Sequence, residues 1–340
     1  MKPPSSSPVL PGGLVISLDF ELHWGVRDHH SVDGHYRANL LGARTVIPRL
    51  LDTFEEFEAA ATWATVGFLF ANDRDEIHRF RPATLPEYVD RKLYPYDESV
   101  GRDEREDPLH FAPTLIDMIG KRPRQEIATH TYSHYFCGEA GQTRDSFEAD
   151  IAAAVAIAES RGYHLRSIVF PRNQFNPEYA DVLVAHGITA FRGNPAAWMW
   201  RFRDNVQGRK WWRRAGRFAD AYVPLGRSEL VGWDSILRSD GLCDVRASHV
   251  LKPYGPRTGP LSALHVRRIR RAIRTAARSG MLCHVWWHPH NFGRHQEQNL
   301  GMLREILEEF RRCRERHGMR SLNMGEVDEL VRYEFADVVS

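Results

Sequence analysis

The chain has 340 residues, of which 42% are hydrophobic and 26% are charged, proportions typical of a globular protein with one large domain or two smaller ones. Its formal net charge of +2 gives no reason to expect a nucleic-acid partner. The four cysteines are scattered without a CxxC pair. This argues against a cysteine-zinc site and a disulfide framework, and it suits a reducing compartment.

The N-terminal residues MKPPSSSPVLPGG are rich in Pro and Ser and predict a disordered tail over 1–13. They carry no charged-then-apolar signal pattern, and no apolar run in the chain reaches about 18 residues. We therefore expect a cytoplasmic protein whose substrate lies in the cytoplasm or at the inner face of the membrane.

Residues 14–340 alternate apolar runs of strand length with helical patterns, as expected of one α/β domain with a mainly parallel sheet, open or closed into a barrel. The predicted strands are 14–20, 61–70, 126–130, 166–171, 188–193 and the run 281–290. The predicted helices are 42–59, 143–161, 177–186, 263–279, 298–317 and a last helix whose capping box is formed by Asn323 and Glu326. The segments 72–112 and 194–262 interrupt the alternation and are predicted insertions. No GxGxxG or GxxxxGK motif follows a strand, which counts against a dinucleotide or P-loop fold.

The run LVISLDFELHWG places two acids at the end of the first predicted strand. Strand alternation puts Asp19, Glu21 and His23 on one face. Two acids so close repel each other unless a cation or a shared proton relieves them. The alternative is a solvated strand end, with one acid capping the next helix.

The motif HTYSH follows the third predicted strand and contains His130 and His134. On a helical turn this spacing places two imidazoles on one side, which suits a metal. With 17 histidines in the chain, such pairs also arise by chance, and His284 and His288 form a second one. The context must therefore decide.

Two further strand ends carry polar side chains. Pro289 ends regular pairing after MLCHVWWHPH and leaves His288 and His290 at a strand end, whereas His284 fits a buried, hydrogen-bonded histidine. Arg172 follows the strand at 166–171 and can hold a carboxylate ionised, or else lie in a surface loop. Because parallel strands meet at one edge, these groups together indicate a hydrolytic metal site.

The motifs SLDFE, HTYSH and WWHPH resemble those of the polysaccharide deacetylases of the NodB-homology kind, carbohydrate esterase family four, in the branch with Asp-x-Glu. The resemblance implies a distorted (β/α)7 barrel that removes acetyl groups with a divalent metal. It implies Asp19 as base, and Glu21, His130 and His134 as metal ligands. The general acid falls on His288, with His290 as the alternative. Arg172 would orient the base, although Pro171 precedes it here where the family has Arg-x-Pro. No clear Asp-x-x-Asp-Trp motif is present.

The resemblance implies an N-acetylated sugar as substrate and a metal of which Zn²⁺ is the first choice, with other transition metals as alternatives. Trp24, Trp286, Trp287 and His290 are the predicted substrate contacts. A nucleotide-linked or lipid-linked precursor of a surface polysaccharide suits a cytoplasmic enzyme. The segment 198–218, rich in Trp and Arg, suggests peripheral membrane contact or an insertion packed on the barrel.

Three rival hypotheses remain open from the sequence. The first is another metal-dependent C–N hydrolase on the same barrel, such as a cyclic amidase. The second is a glycosidase relative, which would need a pair of carboxylates and no metal. The third is a sugar-binding relative without catalysis.

Overall fold

The computed structural model describes residues 10–195, 197–200, 207, 210–220, 222, 230–256 and 258–334. The strands within these ranges are β1 Gly13–Phe20, β2 Ala61–Thr65, β3 Gln125–Thr129, β4 Ser167–Ile168, β5 Ala190–Phe191, β6 Cys243–Asp244, β7 His249–Val250, β8 Leu282–Trp287 and β9 Arg320–Leu322. The α-helices are α1 Arg37–Glu56, α2 Arg74–Arg79, α3 Pro113–Gly120, α4 Arg144–Glu159, α5 Ala180–Ala185, α6 Trp211–Asp220, α7 Gly259–Ser279, α8 Gln296–His317 and α9 Met324–Glu334.

The named strands pair in parallel in the order β6-β5-β4-β3-β2-β1-β8-β7, and β9 pairs with the start of β1. The segment 245–251 connects the two ends of this order. The Val245 amide donates a hydrogen bond to the carbonyl of Phe191 in β5, and the Ala247 amide donates to the carbonyl of Gly193, two residues after β5. The amides of Ser248 and Leu251 donate to carbonyls of β8. This segment thus links the two ends of the sheet. The predicted fold, a distorted (β/α)7 barrel, is confirmed.

All eight residues of β1 are buried, as expected for a parallel strand covered on both sides. Leu14, Ile16 and Leu18 face the large core between sheet and helices. The alternate residues Ser17 and Asp19 point to the barrel interior, which is partly polar. There the Ser17 hydroxyl lies 3.0 Å from Arg192 Nη1 and 2.8 Å from His284 Nε2.

The strand predicted over 61–70 is too long. β2 ends at Thr65, and Gly67–Phe70 form a 3-10 turn. The amides of Gly67 and Phe68 bond to the carbonyls of Thr131 and Tyr132 in the loop after β3. A Cβ on Gly67 would lie 2.5 Å from the Tyr132 ring, so this close approach requires glycine.

The second predicted insertion, 194–262, includes residues that belong to the barrel, because β6 and β7 lie within this range and pair with other strands of the sheet. Each has only two residues, and their pairing with β5 and β8 makes them strands. The short strand β9 was likewise not predicted. The helix predicted over 42–59 runs instead from Arg37 to Glu56 and contains Pro48.

Two helix starts agree with the sequence. Thr143 caps α4, with Ser146 completing the capping box. Asn323 Oδ1 accepts a hydrogen bond from the Glu326 amide, and the Glu326 carboxylate accepts one from the Asn323 amide, which starts α9. Within the described ranges, no helix combines the length and the apolar character needed to cross a bilayer.

Candidate metal centre

The polar groups predicted at strand ends come together at the carboxyl edge of the barrel. Glu21 follows β1, His130 and His134 follow β3, and His288 follows β8. Glu21 Oε2 lies 3.3 Å from His130 Nε2 and 3.1 Å from His134 Nε2. Ligands of a tetrahedral zinc ion, with bonds of about 2.0–2.2 Å, are separated by about 3.3–3.6 Å. The spacing of the three predicted ligands is therefore close to that of a metal site.

The hydrogen bond behind His130 also fits a metal. His130 Nδ1 lies 2.7 Å from the Val169 carbonyl and must donate to it, so Nε2 presents its lone pair to Glu21. His134 Nδ1 is buried without a partner among the described residues. All three side chains are buried. The residues present therefore fit a divalent ion of the zinc type.

The protonation states of this cluster suit a metal. Burial raises the pKa of Glu21. This effect is smaller than the combined effect of three neighbouring histidines, which bring the pKa well below its usual value: His288, His130 and His134. Burial lowers the pKa of His134 to about 4, although Glu21 raises it. At neutral pH the pair is therefore a carboxylate and a neutral imidazole, the forms that bind metals.

The HTYSH motif reaches this geometry as a loop, and the predicted helical turn is absent. Thr131 and His134 have φ values of 64° and 57°. Asp150 of α4 holds the loop from below. Its Oδ1 accepts from the Tyr132 amide at 2.7 Å, and its Oδ2 accepts from the Ser133 amide at 3.2 Å and from the Ser133 hydroxyl. Asp150 was not predicted, because its role depends on how α4 packs under the loop.

The lack of a side chain at Gly25 leaves room for the carboxylate of Glu21. A Cβ on Gly25 would lie 1.9 Å from the Glu21 carboxyl carbon. The chain turns back in the 3-10 turn Leu22–Gly25, so its last residue packs directly against the carboxylate. The turn after β1 therefore places the predicted metal ligand by close backbone contact.

The sequence predicted that Arg172 orients the proposed base Asp19, but in the structure Arg192 pairs with Asp19. Arg192 follows β5 and binds Asp19 in a bidentate pair, with Nη1–Oδ1 at 2.6 Å and Nη2–Oδ2 at 2.8 Å. Burial raises the pKa of Asp19, but Arg192 and then His288 bring it below its usual value, so the carboxyl stays ionised. The signal was present in the sequence, because Arg192 stands at the carboxyl end of the strand predicted at 188–193.

Arg172 binds elsewhere, because the chain turns sharply at its position. Arg172 and Asn173 have φ values of 54° and 55°. The Arg172 guanidinium pairs with Asp28 and lies 4.3 Å from the centre of the Phe136 ring. Asn173 Oδ1 accepts from Arg192 Nη2 at 3.0 Å. The end of the strand predicted at 166–171 is therefore linked to Asp19 indirectly, because Asn173 binds the arginine that pairs with Asp19.

The two candidate general acids differ in exposure. His288 Nε2 lies 3.4 Å from Glu21 Oε1 and 3.7 Å from Asp19 Oδ2, and its side chain is 26% exposed. The side chain of His290 is 4% exposed, and burial lowers its pKa to about 3. An acid must reach both the site and the substrate, which favours His288. His284 is fully buried, as the sequence suggests, with Nδ1 2.8 Å from the Val245 carbonyl.

Of the three tryptophans predicted as substrate contacts, Trp24 and Trp287 lie in the core and Trp286 lies at the site. Trp287 is fully buried and stacks on Phe292, because alternation along β8 turns it to the helix side. Trp24 is buried as well, with Nε1 donating to the His110 carbonyl at 3.0 Å. Neither presents an open face to a sugar. Trp286 borders the site, with the Arg192 guanidinium 4.1 Å from its ring centre.

Solved structures share this architecture over most of its length. A presumed polysaccharide deacetylase from Mycobacterium smegmatis aligns over 100% of this chain and 96% of its own, at 15% identity and a TM-score of 0.58. A probable polysaccharide deacetylase from Pseudomonas aeruginosa PAO1 aligns over 95% of this chain and 90% of its own, at 10% identity and a TM-score of 0.52. This chain has the polysaccharide deacetylase fold.

The polysaccharide deacetylase fold does not by itself fix a reaction. An α-amylase, AmyC from Thermotoga maritima, aligns over 94% of this chain and 75% of its own, at 14% identity and a TM-score of 0.51. No protein-family model and no curated protein matches the chain. At such identities the similarity establishes architecture, so the reaction has to be argued from the side chains of the site.

Proposed function

We propose that this protein is a metal-dependent deacetylase that hydrolyses the acetamido group of an N-acetylated sugar. The observation that carries the proposal is the cluster of Glu21, His130 and His134 beside an ionised Asp19. A metal triad, a carboxylate held as base and a partly exposed histidine are the groups that amide hydrolysis requires.

Each residue has a distinct role in the proposed reaction. Glu21, His130 and His134 would hold a divalent ion, for which Zn²⁺ is the first candidate. When bound, such an ion supplies Lewis acidity, which polarises the acetyl carbonyl and lowers the pKa of water toward ~7. Asp19, kept ionised by Arg192, accepts the proton of the attacking water as the C–O bond forms. His288 donates a proton to the leaving nitrogen as the C–N bond breaks, giving acetate and a free amine.

Further features support the choice of substrate. All four cysteines are buried and unpaired, which suits a reducing compartment. A cytoplasmic nucleotide-linked or lipid-linked N-acetyl sugar, used to build a surface polysaccharide, fits that location. Trp286 and His290 border the site and remain the proposed sugar contacts.

The test combines metal content with acetate release. Wild-type protein, chelator-treated protein and protein reloaded with Zn²⁺ are assayed on N-acetylated oligosaccharides and nucleotide sugars. We expect activity to vanish with the metal and to return with it. Asp19→Asn should keep the metal and lose about 10²–10⁴-fold in kcat, whereas His134→Ala should lose activity together with the ion held by Glu21, His130 and His134. Full turnover by Asp19→Asn would overturn the role of the base.

A glycosidase remains the second candidate, because an α-amylase shares this fold. That reaction uses two carboxylates and needs no metal. Cleavage of a glycosidic bond that is insensitive to chelators would favour it, and sugar binding without any turnover would favour a non-catalytic relative. Acetate release that depends on added metal excludes both.

We also propose peripheral membrane contact through the segment 198–218. Residues 201–206 and 208–209 of this segment lie outside the described ranges. In α6, Trp211 and Phe218 are exposed by 76% and 49%. Exposed aromatic and basic side chains on a helix favour an anionic interface. Absence of binding to anionic vesicles in a pelleting assay would exclude this contact.

A further inference from the structure

A second group of potential metal ligands lies outside the Glu21 cluster. It consists of His23 in the turn after β1 and of Glu98 and His110 in the segment 72–112. His23 Nδ1 lies 3.0 Å from His110 Nε2. Glu98 Oε1 lies 3.5 Å from His23 Nδ1 and 3.6 Å from His110 Nε2. Both imidazoles are buried, with exposures of 1%.

The outer nitrogen of each histidine already has an acceptor. His110 Nδ1 lies 2.7 Å from Asp107 Oδ2, and His23 Nε2 lies 2.9 Å from the His30 carbonyl. Each outer nitrogen must therefore carry a proton and donate it. In the neutral form of each ring, the inner nitrogen then presents a lone pair to the space shared with Glu98. A carboxylate or a carbonyl behind each histidine is the usual outer shell of a metal site.

A hydrogen-bonded network without an ion accounts less well for this geometry. One proton between the two inner nitrogens satisfies the 3.0 Å contact. It leaves Glu98 Oε1 at 3.5 and 3.6 Å, longer than the 2.7–3.2 Å of ordinary N–H···O hydrogen bonds. The two separations from Glu98 match the edges of a tetrahedron with zinc bonds, about 3.3–3.6 Å, and the 3.0 Å between the two imidazole nitrogens is about 0.3 Å shorter than such an edge.

We propose that His23, Glu98 and His110 form a second site for a divalent cation of the zinc class. Two imidazoles and one carboxylate form a ligand set that zinc favours. The charges of Glu98 and Asp107 balance those of the ion. Glu98 also lines a cavity of about 190 Å³, from which a water molecule can supply the fourth ligand.

The position of the site gives it a role in holding the segment 72–112 on the barrel. His23 stands two residues after Glu21, and its amide donates to the Leu109 carbonyl at 3.2 Å. Trp24 Nε1 donates to the His110 carbonyl at 3.0 Å. An ion between His23 and His110 would fasten this segment to the turn that carries Glu21, whether or not the barrel is a deacetylase.

The experiment counts ions in full-length protein that has been stripped with chelator, reloaded with Zn²⁺ and freed of excess ion. The decisive comparison is His134→Ala against the double variant His134→Ala/His110→Ala, because the first change removes the Glu21 cluster from the count. We expect one ion per chain in His134→Ala and none in the double variant. This comparison holds even if the deacetylase proposal fails.

A second variant guards against loss of folding. Glu98→Gln keeps the size of the side chain and removes the charged ligand, so the second ion should bind about 10-fold more weakly or worse. His78 is exposed and lines the same cavity, and His78→Ala should keep the count unchanged. No ion in folded His134→Ala, or undiminished binding in Glu98→Gln and the double variant, would overturn the second site.

Discussion

At the residue scale, the charge on Asp19 depends chiefly on one buried arginine. Arg192 is 2% exposed, and its two terminal nitrogens contact both carboxylate oxygens of Asp19, Ser17 and Asn173. Removing one partner of a buried ion pair costs about 3–5 kcal/mol, because the other charge is left without compensation. The pairing therefore fixes both the position and the ionisation of the proposed base.

Replacing Arg192 with Gln should raise the pKa of Asp19, because the guanidinium is the strongest influence that lowers it. The acid limb of the kcat/KM profile should then move upward by about 1–3 pH units. Arg172→Gln is the matched control, because Arg172 pairs with Asp28 and should leave that limb in place. Arg192→Lys, which keeps the charge, should fall between them. A profile that moves with Arg172 would restore the partner predicted from the sequence.

At the scale of elements, the metal ligands depend on a loop that α4 supports. Three donors of the loop 130–134 converge on Asp150, which is fully buried. The left-handed backbone at Thr131 and His134 is unfavourable for residues with a side chain. The hydrogen bonds to Asp150 compensate for it, so α4 determines where His134 points.

Asp150→Ala should weaken zinc binding at the Glu21 cluster. The change leaves two buried amides without acceptors, at about 1–3 kcal/mol each, and lets the loop relax. We expect affinity measured by chelator competition to fall about 10–100-fold. Asp145→Ala, exposed on the same helix, is the control and should have no effect. Unchanged affinity in Asp150→Ala would mean that the loop holds its shape alone.

The close packing of α1 on the turn after β8 requires glycine at position 42. A Cβ on Gly42 would lie 2.1 Å from the Gly293 carbonyl oxygen, which is backbone and cannot move aside easily. Gly42→Ala should therefore lower the free energy of unfolding by about 1–3 kcal/mol, measured in urea. Gly301, in α8, has no atom within 4 Å of a built Cβ. Gly301→Ala should stabilise by about 0.5–1 kcal/mol, and equal effects in both variants would contradict this packing.

At the scale of the whole molecule, the barrel interior holds neutral histidines away from water. Burial lowers the pKa of His284 to about 3 and that of His290 to about 3, from 6.5. Between pH 3 and 6.5, these two histidines bind more protons in the unfolded chain than in the folded one. The contribution of these two histidines to the free energy of unfolding therefore falls as the pH drops from about 6.5 toward 3. The lowered pKa of Asp19 acts in the same direction at the acid end.

We expect each of these histidines to add up to about 1.4 kcal/mol per pH unit to that slope. Urea unfolding of metal-free protein between pH 4 and 6.5 measures it. His284→Gln should give a shallower slope, because one titrating group is gone. His164→Gln, at a side chain 85% exposed, should leave the slope unchanged. Identical slopes for wild type and His284→Gln would show that His284 titrates normally in the folded protein.

The sequence predicted the architecture because its signals are local. Apolar runs gave the main strands, capping residues gave the starts of α4 and α9, and parallel strands have only one carboxyl edge. It therefore also predicted that Asp19, Glu21, His130, His134 and His288 lie together. Their catalytic and metal-binding roles stay predictions. The two-residue strands β4 and β5 were predicted because they lie in longer apolar runs, whereas β6, β7 and β9 were missed because two or three residues alone carry no periodicity.

Only the tertiary structure decided which partners these residues take. Arg172 directly follows one predicted strand and Arg192 lies at the carboxyl end of another, and the sharp turn at Arg172 places its guanidinium against Asp28. Whether a tryptophan faces the site or the core depends on which side of β8 the helices cover. His23, Glu98 and His110 come from two segments whose packing no local pattern encodes. Sequence periodicity specifies the face and the end of each strand, whereas contacts between side chains distant in the chain arise only when the sheet closes and the helices pack against it.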